Sequence, residues 1–152
     1  MTKPIKHIYW YSMSLVIEFL HEHILAIDFA LFILIWLVQL VIYPVLHFVS
    51  EKEFSTWHEI YCKRIAYFVL PLMIAQLFES SAASFFVGGW VEWLKLCLIL
   101  LVWLVTFLIS ARCHHQLSKL GKDGVVIRKL VLTNWIRTIL WSMITVVSYF
   151  QY

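Results

Sequence analysis

Residues 91–110 read VEWLKLCLILLVWLVTFLIS, a run whose only charges, Glu92 and Lys95, lie near its start. About 20 residues of helix rise roughly 30 Å, the thickness of a bilayer's hydrocarbon core. A run this long and this apolar predicts a membrane-spanning helix. Working outward, three more spans share the pattern: Ile24 to Val49, Ile65 to Val87 and Leu130 to Tyr149. Gly88 and Gly89 mark a tight turn between the second and third. The predicted fold is all-α, an integral membrane four-helix antiparallel bundle forming one transmembrane domain over residues 1–152.

Composition supports this. Of the 152 residues, 62% are hydrophobic and 14% charged, against about 25% charged in soluble domains. The mean hydropathy is +0.85. Four spans consume most of the chain, so any chemistry must come from residues inside the bundle or at its rims. The lipid bilayer is the expected partner. The net charge of +3 does not point to nucleic acid, because the basic residues sit in connections beside apolar spans and act as topology signals. Cys62, Cys97 and Cys113 form no C-x-x-C, and an odd number cannot close fully into internal pairs, so they read as free thiols. There is no Gly-rich phosphate loop and no G-x-S-x-G, which removes ATPase and serine hydrolase readings.

Lys3 and Lys6 precede an apolar run from Ile8 to Leu20 that resembles a signal peptide, but Glu18, His21, Glu22 and His23 stand where small residues would permit cleavage. The expectation is a retained, short interfacial helix with Trp10 and Tyr11 at headgroup level. Residues 50–56 form a charged break, residues 54–64 an amphipathic lead-in, and Pro71 is expected to kink the second span. Lys52, Lys63, Arg64, Arg112, Lys119, Lys122, Arg128 and Lys129 lie on one side, and Lys3, Lys6 and Lys95 on the other. The positive-inside rule then places the two longer loops in the cytoplasm and both termini outside.

Polar side chains at membrane depth face a bundle interior, so their spacing marks the inward face of each span. Trp36, Gln39, Tyr43 and His47 share one stripe; so do Trp103, Thr106, Ser110 and His114. On the second span His58 and Gln76 share a meridian with Cys62 and Glu79 nearby, and the fourth presents Asn134, Arg137, Thr138 and Trp141. His47, His58 and His114 all fall at the cytoplasmic rim, with Arg137 and Asn134 beneath them.

Neutral imidazole is a common metal ligand and binds haem iron axially, so His47, His58 and His114 are candidate ligands for haem or a transition metal. The competing reading treats them as interfacial amphiphiles like Trp and Tyr. Gln39, Tyr43, Asn134 and Arg137 complete the candidate cofactor site. Arg137 either binds an anionic or carbonyl group, such as a haem propionate, a quinone oxygen or a lipid headgroup, or pairs with Glu79 or Gln76. Glu79 and Asp28 lie toward the outer face.

The set Trp36-x-x-Gln39-x-x-x-Tyr43-Pro44, Pro71-Leu72-Met73, Trp103-x-x-Thr106 and Asn134-Trp135-x-Arg137-Thr138-x-x-Trp141 resembles a family of small bacterial four-span membrane proteins. That resemblance implies a bacterial inner membrane. More distantly, the size, span number and Tyr43-Pro44-Val45-Leu46-His47 resemble the HemJ-type protoporphyrinogen oxidases, small haem-binding membrane enzymes. Val45 stands where those enzymes carry an arginine, so no catalytic residue carries over, and what the resemblance implies is a haem-sized cavity. The leading expectation is a haem- or metal-binding redox protein, an oxidoreductase acting on a hydrophobic substrate through a polar cavity in the cytoplasmic half. The alternatives are a non-enzymatic accessory subunit, joined to a membrane partner or to copies of itself, and a small-solute or lipid carrier.

Overall fold

The computed structural model describes the backbone of residues 4–151 and the side chains of residues 15–151. Helix α1 spans Pro4–Leu37, followed by a π-helical segment, Val38–Ile42, and a short α2, Tyr43–Val45. Helix α3 runs over Glu51–Phe86 and α4 over Trp90–Val105. A second π-helical segment, Thr106–Ser110, joins α4 to α5 at Ala111–Leu120, and α6 spans Gly124–Gln151. Four of the resulting rods, Leu15–Val45, Glu51–Phe86, Trp90–Leu120 and Gly124–Gln151, are long and apolar enough to cross a membrane.

Around the bundle, α1 packs on α3 and α6, and α4 packs on the same two helices. Neighbours in sequence are therefore neighbours in space, the arrangement that short connections favour. Leu31, Ile35, Met73, Leu98, Ile99, Val102, Trp141 and Ile144 form the central core. A second core of Val38, Tyr43, Leu46, Phe54, Cys113, Leu117, Ile127 and Leu130 fills the end where the basic residues gather. The outer surface carries Phe29, Phe68, Phe107 and Ile139 among many exposed large apolar side chains. In water such a surface would drive aggregation; against lipid tails it is matched.

Several helix ends have a chemical cause. Asp123 Oδ1 accepts the Val125 and Val126 amides at 2.8 and 3.2 Å and so caps α6. Glu51 and Glu53 sit in the first turn of α3, where acidic groups complement the helix dipole. The 87–89 turn uses Gly88 at φ +75°, a left-handed conformation that glycine adopts without strain. Lys122 Nζ donates to the His47 and Val49 carbonyls, both at 2.8 Å, tying together the 46–50 and 121–123 connections.

Several predicted boundaries move. The charged lead-in before the second span is part of α3 itself, which passes through Pro71 in one helix. The basic loop before the fourth span is mostly helix, leaving residues 121–123 as the connection. At the amino terminus the backbone of residues 8–20 belongs to α1 and continues into the first span. The placement of Trp10 and Tyr11 falls outside the described side chains. The first span ends early: Pro44 has no amide to donate, the helix widens just before it so that the Tyr43 amide reaches Val38 O, and regular helix stops at Val45.

Candidate metal centre

Helix α3 carries His58 and Cys62 four residues apart, so both side chains lie on one face. Across from them α5 carries His114. The three meet at the basic end of the bundle: His58 Nε2 lies 3.0 Å from His114 Nδ1, Cys62 Sγ lies 3.5 Å from that same Nδ1, and Cys62 Sγ lies 3.7 Å from His58 Nε2. These are three potential metal ligands within mutual reach. A tetrahedral ion with bonds of about 2.0–2.1 Å to nitrogen and about 2.3 Å to sulfur would place its nitrogens about 3.3 Å apart and each about 3.6 Å from the sulfur. The observed separations are close to those of one face of that tetrahedron, and because Cys62 Sγ lies 3.8 Å from His58 Nδ1 as well, a bound ion requires the thiol to swing toward the Nε2 lone pair.

The far nitrogen of each ring is also held. His58 Nδ1 lies 2.9 Å from Ser118 Oγ, and His114 Nε2 lies 3.3 Å from the Tyr43 hydroxyl. Such outer partners fix ring orientation and tautomer at metal sites. His58 is fully buried and stacks on Phe54 at 5.6 Å between centroids. With one imidazole donating and the other accepting, the 3.0 Å contact is also a sound hydrogen bond. Geometry alone therefore supports both a ligand set and a polar lock between α3 and α5.

Beneath the triad lies a second layer. Arg137, 8% exposed, donates from Nη1 to Ser110 Oγ and Asn134 Oδ1, both at 3.2 Å, and its guanidinium sits 5.2 Å from the Trp141 ring centre. Asn134 Nδ2 donates to Gln39 Oε1 at 2.8 Å. A cavity of about 210 Å³ adjoins both layers, with Cys62, His114, Tyr43, Tyr61 and Arg137 at its polar end and Leu34, Ile35 and Met73 among its apolar walls.

The structure thus gathers His58, His114, Tyr43, Arg137, Asn134 and Gln39 at one end of the bundle. It does not bring His47 to them. His47 lies past the end of α2, is exposed, and lines a separate groove with Asp123 and Arg128. Its predicted stripe assumed helix to residue 47, and Pro44 ends the helix first. Cys62 takes the third corner instead. Cysteine arithmetic passes over it because a lone thiol has no partner cysteine; the signal was its i, i+4 spacing from His58.

Arg137 pairs with neither Glu79 nor Gln76. Glu79 Oε1 lies 2.9 Å from His21 Nδ1, while Gln76 donates to Asp28 Oδ1 at 2.6 Å. Asp28, fully buried, forms an ion pair with Lys95 at 2.8 Å and accepts the Ser148 hydroxyl. This second polar cluster sits toward the opposite end, beyond the central apolar core. Sequence reading counted Lys95 as a rim charge because its partner lies on another helix. No family model, curated protein or solved structure matches the chain.

Proposed function

We propose that the chain is a membrane-embedded transition-metal protein whose centre is His58, Cys62 and His114, with a coordination position open toward the apolar cavity. The observation that carries this reading is the near-tetrahedral triangle of two imidazole nitrogens and a thiol sulfur, with the outer nitrogens held by Ser118 and Tyr43. Three protein ligands with a free fourth position is the pattern of reactive rather than purely structural metal sites. The donor set suits zinc, which acts as a Lewis acid, or copper, which carries electrons. The positive-inside rule supports a cytoplasmic basic end, and the resemblance of the sequence motifs to small bacterial four-span proteins supports a bacterial inner membrane.

Haem fits less well than an ion. The His58 and His114 rings stack 5.1 Å apart at 28°, and their facing nitrogens leave no gap for a macrocycle. A carrier is less well supported, because among the described residues the two polar clusters meet only through the Trp141 side chain, which donates to Gln76 and lies under Arg137, amid the packed core of Leu31, Ile99 and Met73.

Elemental analysis of the purified protein tests the reading. A single zinc or copper ion per chain, lost in Cys62→Ser and in His114→Ala, is the expected result. Protein that arrives metal-free and fails to take up either ion when supplied would refute it.

A further inference from the structure

A buried positive charge without a negative partner is an unfinished arrangement, and Arg137 is one. It is 8% exposed, and among the described residues the ion pairs are those of His21, Lys63 and Lys95, so no carboxylate meets it. Its partners, Ser110, Asn134 and the Tyr43 hydroxyl, are neutral, and its buried Nε has no hydrogen-bond partner. Desolvating a guanidinium costs several kcal/mol unless an opposite charge arrives. The cavity beside it is where that charge can enter.

The shape of the cavity narrows the ligand class. Its lining on α3 runs from Tyr61 to Met73, about 18 Å of helical rise, so it is a slot parallel to the helices, polar at the basic end and apolar toward the bundle centre. Acyl chains lie in that direction in a bilayer, with their headgroups at the rim. The slot, about 210 Å³, is long enough along the helices for a headgroup and a run of chain carbons. Leu70, 46% exposed on its wall, marks where a longer tail reaches lipid.

We propose that this slot binds a carboxylate-headed amphiphile, a fatty acid drawn from the bilayer, with its carboxylate on Arg137 and its chain against Ile35, Ala66, Val69 and Met73. A carboxylate matches the planar fork of a guanidinium with two oxygens, and the Tyr43 and Tyr61 hydroxyls at the same end offer further donors. A phosphodiester head carries a glycerol unit and a second acyl chain, which a single slot beside one guanidinium matches less closely than a single-chain carboxylate. The proposal goes beyond the metal reading and stands on Arg137 and the slot, whether or not an ion occupies the triad.

The test is equilibrium binding of radiolabelled dodecanoate to the full chain in a non-ionic detergent, with dodecanol and dodecyl phosphate as competitors and metal content measured on every sample. The expected result is saturable binding, with dodecanol weaker by about tenfold or more, the worth of a charge-assisted hydrogen bond. Arg137→Gln removes that preference. Should Arg137→Gln fail to fold, Ala66→Trp, which fills the slot without touching the guanidinium, abolishes dodecanoate binding. Wild-type protein stripped of metal with a chelator keeps the preference for dodecanoate over dodecanol. Equal binding of dodecanol, stronger competition by dodecyl phosphate, or undiminished binding to Ala66→Trp would each overturn the proposal.

Discussion

Removing one member of the Asp28–Lys95 pair should destabilise the bundle far more than removing both. The two groups are 2.8 Å apart, with Asp28 fully buried and Lys95 3% exposed. At an effective dielectric near 20 their attraction is about 6 kcal/mol, offset by the cost of taking both charges out of water. Deleting one partner leaves the other charge buried, and such changes cost about 3–5 kcal/mol. Lys95→Met leaves Asp28 with Gln76 and Ser148 as neutral hydrogen-bond donors, so it should fall at the lower end of that range. Asp28→Asn keeps the shape but removes the carboxylate charge that faces the ammonium. The double variant Asp28→Asn/Lys95→Met removes both charges and should leave a loss of only about 1–2 kcal/mol, giving a coupling energy of at least about 4 kcal/mol. Reversible unfolding in mixed micelles, followed by circular dichroism, measures all four proteins. Additive losses in the double variant would show that the pair is not coupled and that the reasoning is wrong.

Further outcomes concern the metal centre. Ser118→Ala frees His58 Nδ1 and should weaken metal binding about 10–100-fold without removing a ligand, measured by competition with a chelator. His47→Ala should leave metal content unchanged in elemental analysis, because that side chain lines a different groove. Metal affinity should fall as the pH is lowered, since bound imidazoles must be unprotonated and the bound sulfur a thiolate; a flat profile in the same competition assay would exclude those ligands.

The apolar spans were legible because hydropathy over about 20 residues measures what a bilayer requires. Helix length was not, because backbone hydrogen bonding continues past the last apolar residue. Residues 51–64 and 111–120 are charged and amphipathic, yet helical, and they carry His58, Cys62 and His114. The polar stripes correctly turned Gln39, Gln76, Asn134 and Arg137 inward, since 3.6-residue periodicity fixes a face within one straight helix. It fails where a helix ends, as at His47 after Pro44. It is also silent on pairs between helices, which is why the Asp28–Lys95 pair and the meeting of Cys62 with His114 emerged only in three dimensions.

The most direct test of the central claim is a titration of the metal-free protein with cobalt(II), followed by absorption. A His₂Cys centre of this geometry predicts visible bands of tetrahedral cobalt together with a sulfur-to-cobalt charge-transfer band in the near ultraviolet, the latter lost in Cys62→Ser. A spectrum of octahedral, oxygen-bound cobalt in the wild-type protein would contradict the account, and the triad would then be a hydrogen-bonded lock between α3 and α5.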